Sequence, residues 1–210
     1  PFIIAEIGSN HNGEISIAKD LIHEAKNCGV SAVKFQTKDI ETAFSQDLLD
    51  MPYINENSFG ATYREHKEKL ELSLDQLKEL KDLSESMGLI FFSTPFDKIS
   101  ISKLESLNQE IYKISSFHLN DHELIKEVCK TKKPIIISTG MSTLKEIDDA
   151  IDLLKKNDAN FVLLHCVSSY PTQLKDINLR NIISLRERYN CLVGYSGHET
   201  TANVSPAAVL

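Results

Sequence analysis

Short apolar runs alternate along the chain with stretches in which apolar residues recur every three or four positions. The first kind of pattern predicts strands near residues 2–7, 32–37, 89–93, 111–115, 134–138, 161–166 and 191–195. The second predicts helices between them. One starts at about Ser16, with Ile17, Leu21, Ala25 and Cys28 on one face and Gly29 as its stop. Ser73 with Gln76 forms a capping box ahead of Leu74, Leu77, Leu80, Leu83 and Met87. Ile101, Leu104 and Leu107 mark a third helix, and Asp121 opens a fourth carrying Leu124, Ile125, Val128 and Cys129. Thr143 with Glu146 is a second capping box, followed by Ile147, Ile151 and Leu154. A sixth helix is predicted over 179–188, and a seventh starts near Thr200. Residues 38–72 break this rhythm. They are polar and aromatic and too long for an ordinary connection, so they are expected to form a lid or binding loop.

Seven strand–helix units in strict alternation predict a parallel α/β fold. Several strands are apolar on both faces, as in sheets covered by helices. Polar residues gather where strands end: Lys34, Gln36 and Thr37; Ser93 and Thr94; Lys113, Ser115 and Ser116; Ser138 and Thr139. That distribution fits the active face of a (β/α)8 TIM barrel. A doubly wound sheet usually carries a G-x-G-x-x-G first turn, which this sequence lacks. A full barrel takes about 250 residues, so the 210 residues here are read as seven of eight units in one domain.

Bulk properties exclude some partners. The 41% hydrophobic and 25% charged fractions are those of a globular protein. A net charge of −7 argues against nucleic acid. No apolar run approaches the ~18 residues of a membrane span, and residues 2–7, interrupted by Glu6, are too short for a secretory leader. Cys28, Cys129, Cys166 and Cys191 make no C-x-x-C pair and are expected to be buried, reduced thiols of a cytoplasmic protein.

Lys113 is the candidate around which the others gather. It lies in a buried-looking strand, near its end. A structural ion pair, a rim lysine, a Schiff base and an anion site are all compatible with that position. In a barrel Lys34 points to the same mouth, and hydroxyls of Ser93, Thr94, Ser116 and Ser138 favour the anion site. Glu6 interrupts an apolar strand and is expected to be buried and either paired or used. His11 and Asn12 sit in the turn after it, where a capping role or a substrate contact would serve. His23, His66 and His122 are expected to be solvated, and His165 to be a core histidine. His198 follows a strand end, where metal binding or proton transfer is easy.

Motifs along the whole chain resemble the sialic acid synthase family, which includes N-acetylneuraminate, legionaminate and pseudaminate synthases and spore-coat polysaccharide proteins. They are Ile4–Gly13, Val33–Thr37, Phe92–Phe96, Tyr112–Ile114, Ile137–Met141, Leu164–Cys166 with Tyr170–Thr172, and Val193–His198. Residues 55–60 and 62–66 resemble the family's lid. The resemblance implies a carbon–carbon bond-forming transferase. Phosphoenolpyruvate would add to the open-chain aldehyde of an N-acylated hexosamine, and phosphate would leave. It implies that Lys34, Thr94, Lys113, Ser116, Ser138 and Ser196 bind phosphoenolpyruvate. Glu6, Gln36 and Tyr170 would face the sugar or the reacting water, and His198 would be one of two histidine ligands to Mn²⁺ or Mg²⁺. His118 stands where the family usually has Glu, Ser168 where it often has Asn, and Gly197 where it often has Asp. Glu6, Lys113 and His118 are therefore the expected catalytic groups, and Ser168 joins the expected substrate contacts. The resemblance further implies a second metal histidine on an eighth strand, a C-terminal antifreeze-like domain beyond Leu210, and a homodimer. A related 3-deoxy sugar acid phosphate synthase, or an inactive barrel kept for binding, would share many of these features.

Overall fold

Two parallel sheets, each in sequential strand order, organise the residues that the computed structural model describes, 1–209. The first belongs to a unit of residues 2–110, the second to a unit of Pro1 with residues 111 onward. The first sheet holds β1 (Ile4–Gly8), β2 (Ala32–Thr37) and β3 (Ile90–Pro95), in that order. The second holds β4 (Tyr112–Ile114), β5 (Ile135–Ser138), β6 (Phe161–Cys166) and β7 (Val193–Ser196). All seven predicted strands exist, with ends shifted by a few residues. β3 runs two residues past its predicted end, to Pro95, which pairs with Thr37.

In the first unit, the core forms where one sheet face meets α1 (Ile15–Asn27) and α5 (Leu74–Ser86). Ile7, Val33, Phe35 and Phe91 pack there on Ala18, Ile22, Ala25, Leu77 and Leu80. The buried face of α1 matches the predicted one only in part. Ala25 is buried and Leu21 packs on the core, but Ala18 and Ile22 are fully buried, whereas Ile17 is 38% exposed. Two apolar stripes overlap in this helix, and the sheet selects the one with the small Ala18, which permits close approach. Both capping boxes form as predicted, at Ser73–Gln76 and Thr143–Glu146. α6 (Lys98–Ser106) buries Ile101 and Leu104.

The long connection is more structured than its composition suggests. It contains α2 (Ile40–Ala43), α3 (Gln46–Leu49) and α4 (Tyr63–Leu70). His66 is buried, not solvated: it packs on Tyr53, Phe59 and Tyr63, and Phe59 N–H donates to its Nδ1. Burial lowers its pKa. α4 also docks against the turn that precedes α1. Gly13 has φ +77°, and a Cβ there would lie 1.8 Å from the Lys69 carbonyl oxygen. Gly13→Ala is therefore expected to cost about 1–3 kcal/mol from backbone strain, plus whatever undocking α4 adds. Gly29 has a similar φ, +74°, with nothing within 4 Å of its would-be Cβ. Gly29→Ala is the control. Thermal melts and limited proteolysis of residues 38–72 should separate the two, and equal effects would refute the docking argument.

In the second unit, α7 (His122–Lys130), α8 (Leu144–Lys156) and α9 (Arg180–Tyr189) cover the sheet. Leu124, Ile125, Val128 and Cys129 face inward as predicted, as do Ile147, Ile151 and Leu154. Asp148 of α8 takes a bidentate bond from Arg188 of α9. The last helix, α10, spans Val204–Val209, starting later than predicted. Leu210 lies outside the described residues. All four cysteines are free, but Cys28 is exposed and Cys191 half-buried, against the expectation of burial.

Candidate functional site

Strand alternation decides what each sheet presents. In β2 the odd positions Val33, Phe35 and Thr37 face the helices, so Lys34 and Gln36 share the opposite face. Register places Glu6 beside Lys34, Lys34 beside Phe92, and Gln36 beside Thr94. Lys34 Nζ lies 2.5 Å from Glu6 Oε2 and donates to Thr94 Oγ1 at 2.7 Å. Gln36 Nε2 donates to Glu6 Oε1 at 3.3 Å. Lys34 and Thr94 are buried, but the Glu6 side chain is 47% exposed, so the expectation of a buried carboxylate is corrected. Glu6 is both paired and open to solvent. The β1–β2 register slips between Glu6 and Gly8, with Gly8 at φ +56°. A Cβ on Gly8 would come within 3.0 Å of Glu6 Oε1.

Ser93 does not join this group. It has helix-side parity, and its hydroxyl bonds Thr37 Oγ1 at 2.7 Å. His11 and Asn12 do not cap α1, whose N-cap is Glu14. His11 is buried, and its Nδ1 accepts from Gly13 N–H.

The second sheet repeats this logic. Lys113 pairs in register with Ile136, Ser138 with Leu164, and Cys166 with Ser196. Paired residues of a parallel sheet share a face, so Lys113, Ser138, Cys166 and Ser196 lie on one side. Tyr112, Ile114, Ile137, Leu163 and His165 lie on the other, toward the helices. His165 is a core histidine as expected, with Nε2 2.6 Å from the Ile177 carbonyl. Lys113 is only 7% exposed and donates to its neighbour's carbonyl, Ile114 O, at 3.0 Å. Ser138 Oγ is buried with no hydrogen-bond partner, a cost of about 1–3 kcal/mol unless a ligand satisfies it.

Loops beyond the strands complete the group. Gly140 N–H donates to Ser116 Oγ at 3.0 Å. A Cβ on Gly140 would fall 2.3 Å from Ser168 Oγ and 2.9 Å from Ser116 Oγ, so only glycine admits both hydroxyls. His198 Nδ1 donates to the Val167 carbonyl at 3.0 Å, and Nε2 meets the Tyr170 hydroxyl at 3.0 Å. Cys166 Sγ is 3.8 Å from both Ser168 Oγ and His198 Nδ1. Burial pushes the Cys166 thiol up, but His198, Ser116 and Ser168 more than reverse this and leave it at about 7. Contact with Cys166 raises the His198 pKa, against its burial. His118 is buried with Nδ1 2.9 Å from Ser115 Oγ. A concavity of about 600 Å³ in this unit lies elsewhere, lined by Lys155, Arg186 and Leu192, and holds none of these residues.

The sequence profile of the NeuB family matches residues 21–210. The chain belongs to that family. It is 39% identical to mouse N-acetylneuraminate-9-phosphate synthase over 209 residues, which are 99% of this chain and 58% of that protein. It is 38% identical to the N,N'-diacetyllegionaminic acid synthase of Campylobacter jejuni, covering 99% of this chain and 63% of that one. Among solved structures, the N-acetylneuraminic acid synthetase of Leptospira borgpetersenii superposes with a TM-score of 0.86 at 32% identity. That match covers 99% of this chain and 68% of the other. The chain thus spans somewhat under two thirds of the length of the curated relatives it matches.

Two features of this NeuB-family chain escaped the sequence reading. Cys166 is a buried, free thiol as expected, but its contacts with Ser168 and His198 were not foreseen; its parity with Ser138 and Ser196 was the available signal. The Lys38–Glu71 pair had none, because 33 positions separate its members. As for a metal, the described residues hold no group of three His, Cys, Asp or Glu side chains able to bind one. His198 nevertheless fits as a single ligand. The Val167 carbonyl holds Nδ1–H, which leaves Nε2 as the donor nitrogen.

Proposed function

We propose that this chain is the catalytic part of a nonulosonic (sialic-type) acid synthase. The enzyme would condense phosphoenolpyruvate with the open-chain aldehyde of an N-acylated hexosamine and release phosphate. The observation that carries the proposal is the alignment of Lys113, Ser138, Cys166 and Ser196 on one sheet face, in a chain of the NeuB family. We further read the fold as seven units of a (β/α)8 barrel, supported by sequential parallel order within each sheet. A homodimeric, cytoplasmic enzyme belongs to the same reading.

In the second unit, Lys113 supplies positive charge for the phosphate-bearing substrate. Ser116, Ser138 and Ser196 supply hydroxyls, and the unpartnered Ser138 Oγ fits a ligand oxygen. Charge grows on the departing phosphate, so a preset ammonium favours the transition state over the ground state. Tyr170 borders His198 and Ser168 borders Cys166, and both contact the substrates. Tyr170 is 76% exposed, suited to a sugar arriving from solvent. His118, fixed by Ser115, takes the acid–base role that the resemblance gives to a Glu.

In the first unit, Lys34 and Thr94 form a second cation–hydroxyl pair for an anionic oxygen. Glu6 and Gln36 present a carboxylate and an amide to the sugar hydroxyls and the attacking water. A divalent ion, Mn²⁺ or Mg²⁺, would be held in part by His198 and would act as a Lewis acid toward the aldehyde oxygen.

The test is phosphate release from phosphoenolpyruvate by the complete protein with Mn²⁺. The acceptors are N-acetylmannosamine, diacetamido-trideoxyhexoses, their phosphorylated forms, and arabinose and erythrose phosphates. Release with an N-acylated hexosamine is expected. Release only with the unsubstituted sugar phosphates, or with none, would overturn the proposal.

A further inference from the structure

The polar chain on the first sheet does not end at Gln36. Lys38, the next residue of the same parity, sends its side chain inward, where it is only 8% exposed. Its Nζ donates to Gln36 Oε1 at 3.1 Å and lies 4.3 Å from the centroid of the Phe96 ring. Glu71, just past α4, holds Lys38 at two points. Oε2 accepts from the backbone N–H at 3.0 Å, and Oε1 faces Nζ at 3.4 Å. Burial lowers the Lys38 pKa and raises that of Glu71, while each charge opposes the shift in the other. Such a pair is a weak source of stability, because desolvation cancels much of the attraction. Its geometry matters more.

An ammonium only donates, and an ionised carboxylate only accepts. Gln36 lies between one of each. Its oxygen must face Lys38, so its NH₂ must face Glu6 Oε1. Glu6 then offers its other oxygen to Lys34. One hydrogen-bond polarity therefore runs from Lys38 through Gln36 to Glu6. A Cβ on Gly8 would lie 3.0 Å from Glu6 Oε1 and 3.4 Å from Gln36 Nε2, so the glycine leaves these two side chains the room they occupy.

We propose that Lys38, clamped by Glu71, is a positioning residue that sets the amide orientation of Gln36 and, through it, the Glu6 carboxylate for the amino-sugar substrate. This rests on the reading above that Gln36 and Glu6 meet the sugar. Because Glu71 closes the 38–72 connection, the clamp also ties that connection to Gln36.

The experiment compares Lys38→Met, Lys38→Arg and Glu71→Gln in the complete protein. Phosphate release is followed with each substrate varied in turn, and crystal structures of wild type and Lys38→Met are determined. Losing a hydrogen bond to a buried charge is expected to raise the KM for the N-acylated hexosamine about ten- to a hundred-fold. The KM for phosphoenolpyruvate should change less than about two-fold, since Lys38 touches none of its proposed ligands, and Lys38→Arg should recover part of the loss. In the Lys38→Met crystal, the Gln36 amide should leave Glu6 or turn over. A lowered Tm with both KM values unchanged, or an equal rise in both, would overturn the proposal. If wild type processes no hexosamine at all, the functional reading fails separately. The crystals then decide, and a Gln36–Glu6 bond intact in Lys38→Met would reject the positioning role.

Discussion

Lys113→Met in the complete protein should weaken phosphoenolpyruvate binding at least about a hundred-fold and abolish measurable phosphate release, with the fold intact. Methionine keeps the length and apolar stem of lysine, so packing beside the fully buried Tyr112 and Ile114 survives. What disappears is a buried positive charge and its donors. Charge-assisted hydrogen bonds contribute about 1.5–3 kcal/mol each, and a phosphate engages more than one. Transition-state stabilisation adds to this, since removing one preset donor typically costs a further ~100- to 1000-fold in rate. Calorimetric titration gives the binding loss, and circular dichroism with a thermal melt reports the fold. The rival role for Lys113 is structural, through its bond to the Ile114 carbonyl. On that view the variant would melt earlier yet still bind phosphoenolpyruvate, and that result would sink the anion site.

His198→Ala should separate turnover from binding. Metal-dependent phosphate release should fall about a thousand-fold or more, because Lewis-acid stabilisation contributes several kcal/mol. Phosphoenolpyruvate affinity should remain within a few-fold of wild type, since Lys113, Ser138 and Ser196 stay in place. The Mn²⁺ dependence of the residual activity should also weaken. His198 earns this assignment through its orientation. The Val167 carbonyl holds Nδ1, and the Nε2 edge meets the largely exposed Tyr170. His165 is the alternative histidine, but it is buried on the helix side and bonded to Ile177. Full metal-dependent activity in His198→Ala would reject the assignment.

Much of this architecture was legible along the chain because its causes are local. Capping boxes act over three residues, so Ser73–Gln76 and Thr143–Glu146 were visible as written. Apolar runs of strand length gave all seven strands in order, and the stripes of α7 and α8 had one plausible face each. Lys113 was recognisable as a buried strand lysine because both of its neighbours are large and apolar.

Other features needed the tertiary structure. Alternation makes neighbouring strand residues face opposite ways, but it does not say which way faces the helices. Helix packing on Val33 and Phe35 settled that for β2, and so sent Ser93 to the helix side while Lys34, Gln36 and Thr94 gathered opposite. For α1 the spacing pointed to Ile17, Leu21, Ala25 and Cys28, whereas the sheet took Ala18 and Ile22 together with Ala25. His66 read as a polar lid residue, yet three rings from the same connection enclose it. Glu71 reaches Lys38, and Cys166 reaches His198, across more than thirty positions. The sequence by itself determined the strands and helices outside the 38–72 connection, their order, and which polar residues stand at strand ends. The tertiary structure alone decided which of those residues meet, because burial and pairing are settled by contacts between segments that no local pattern encodes.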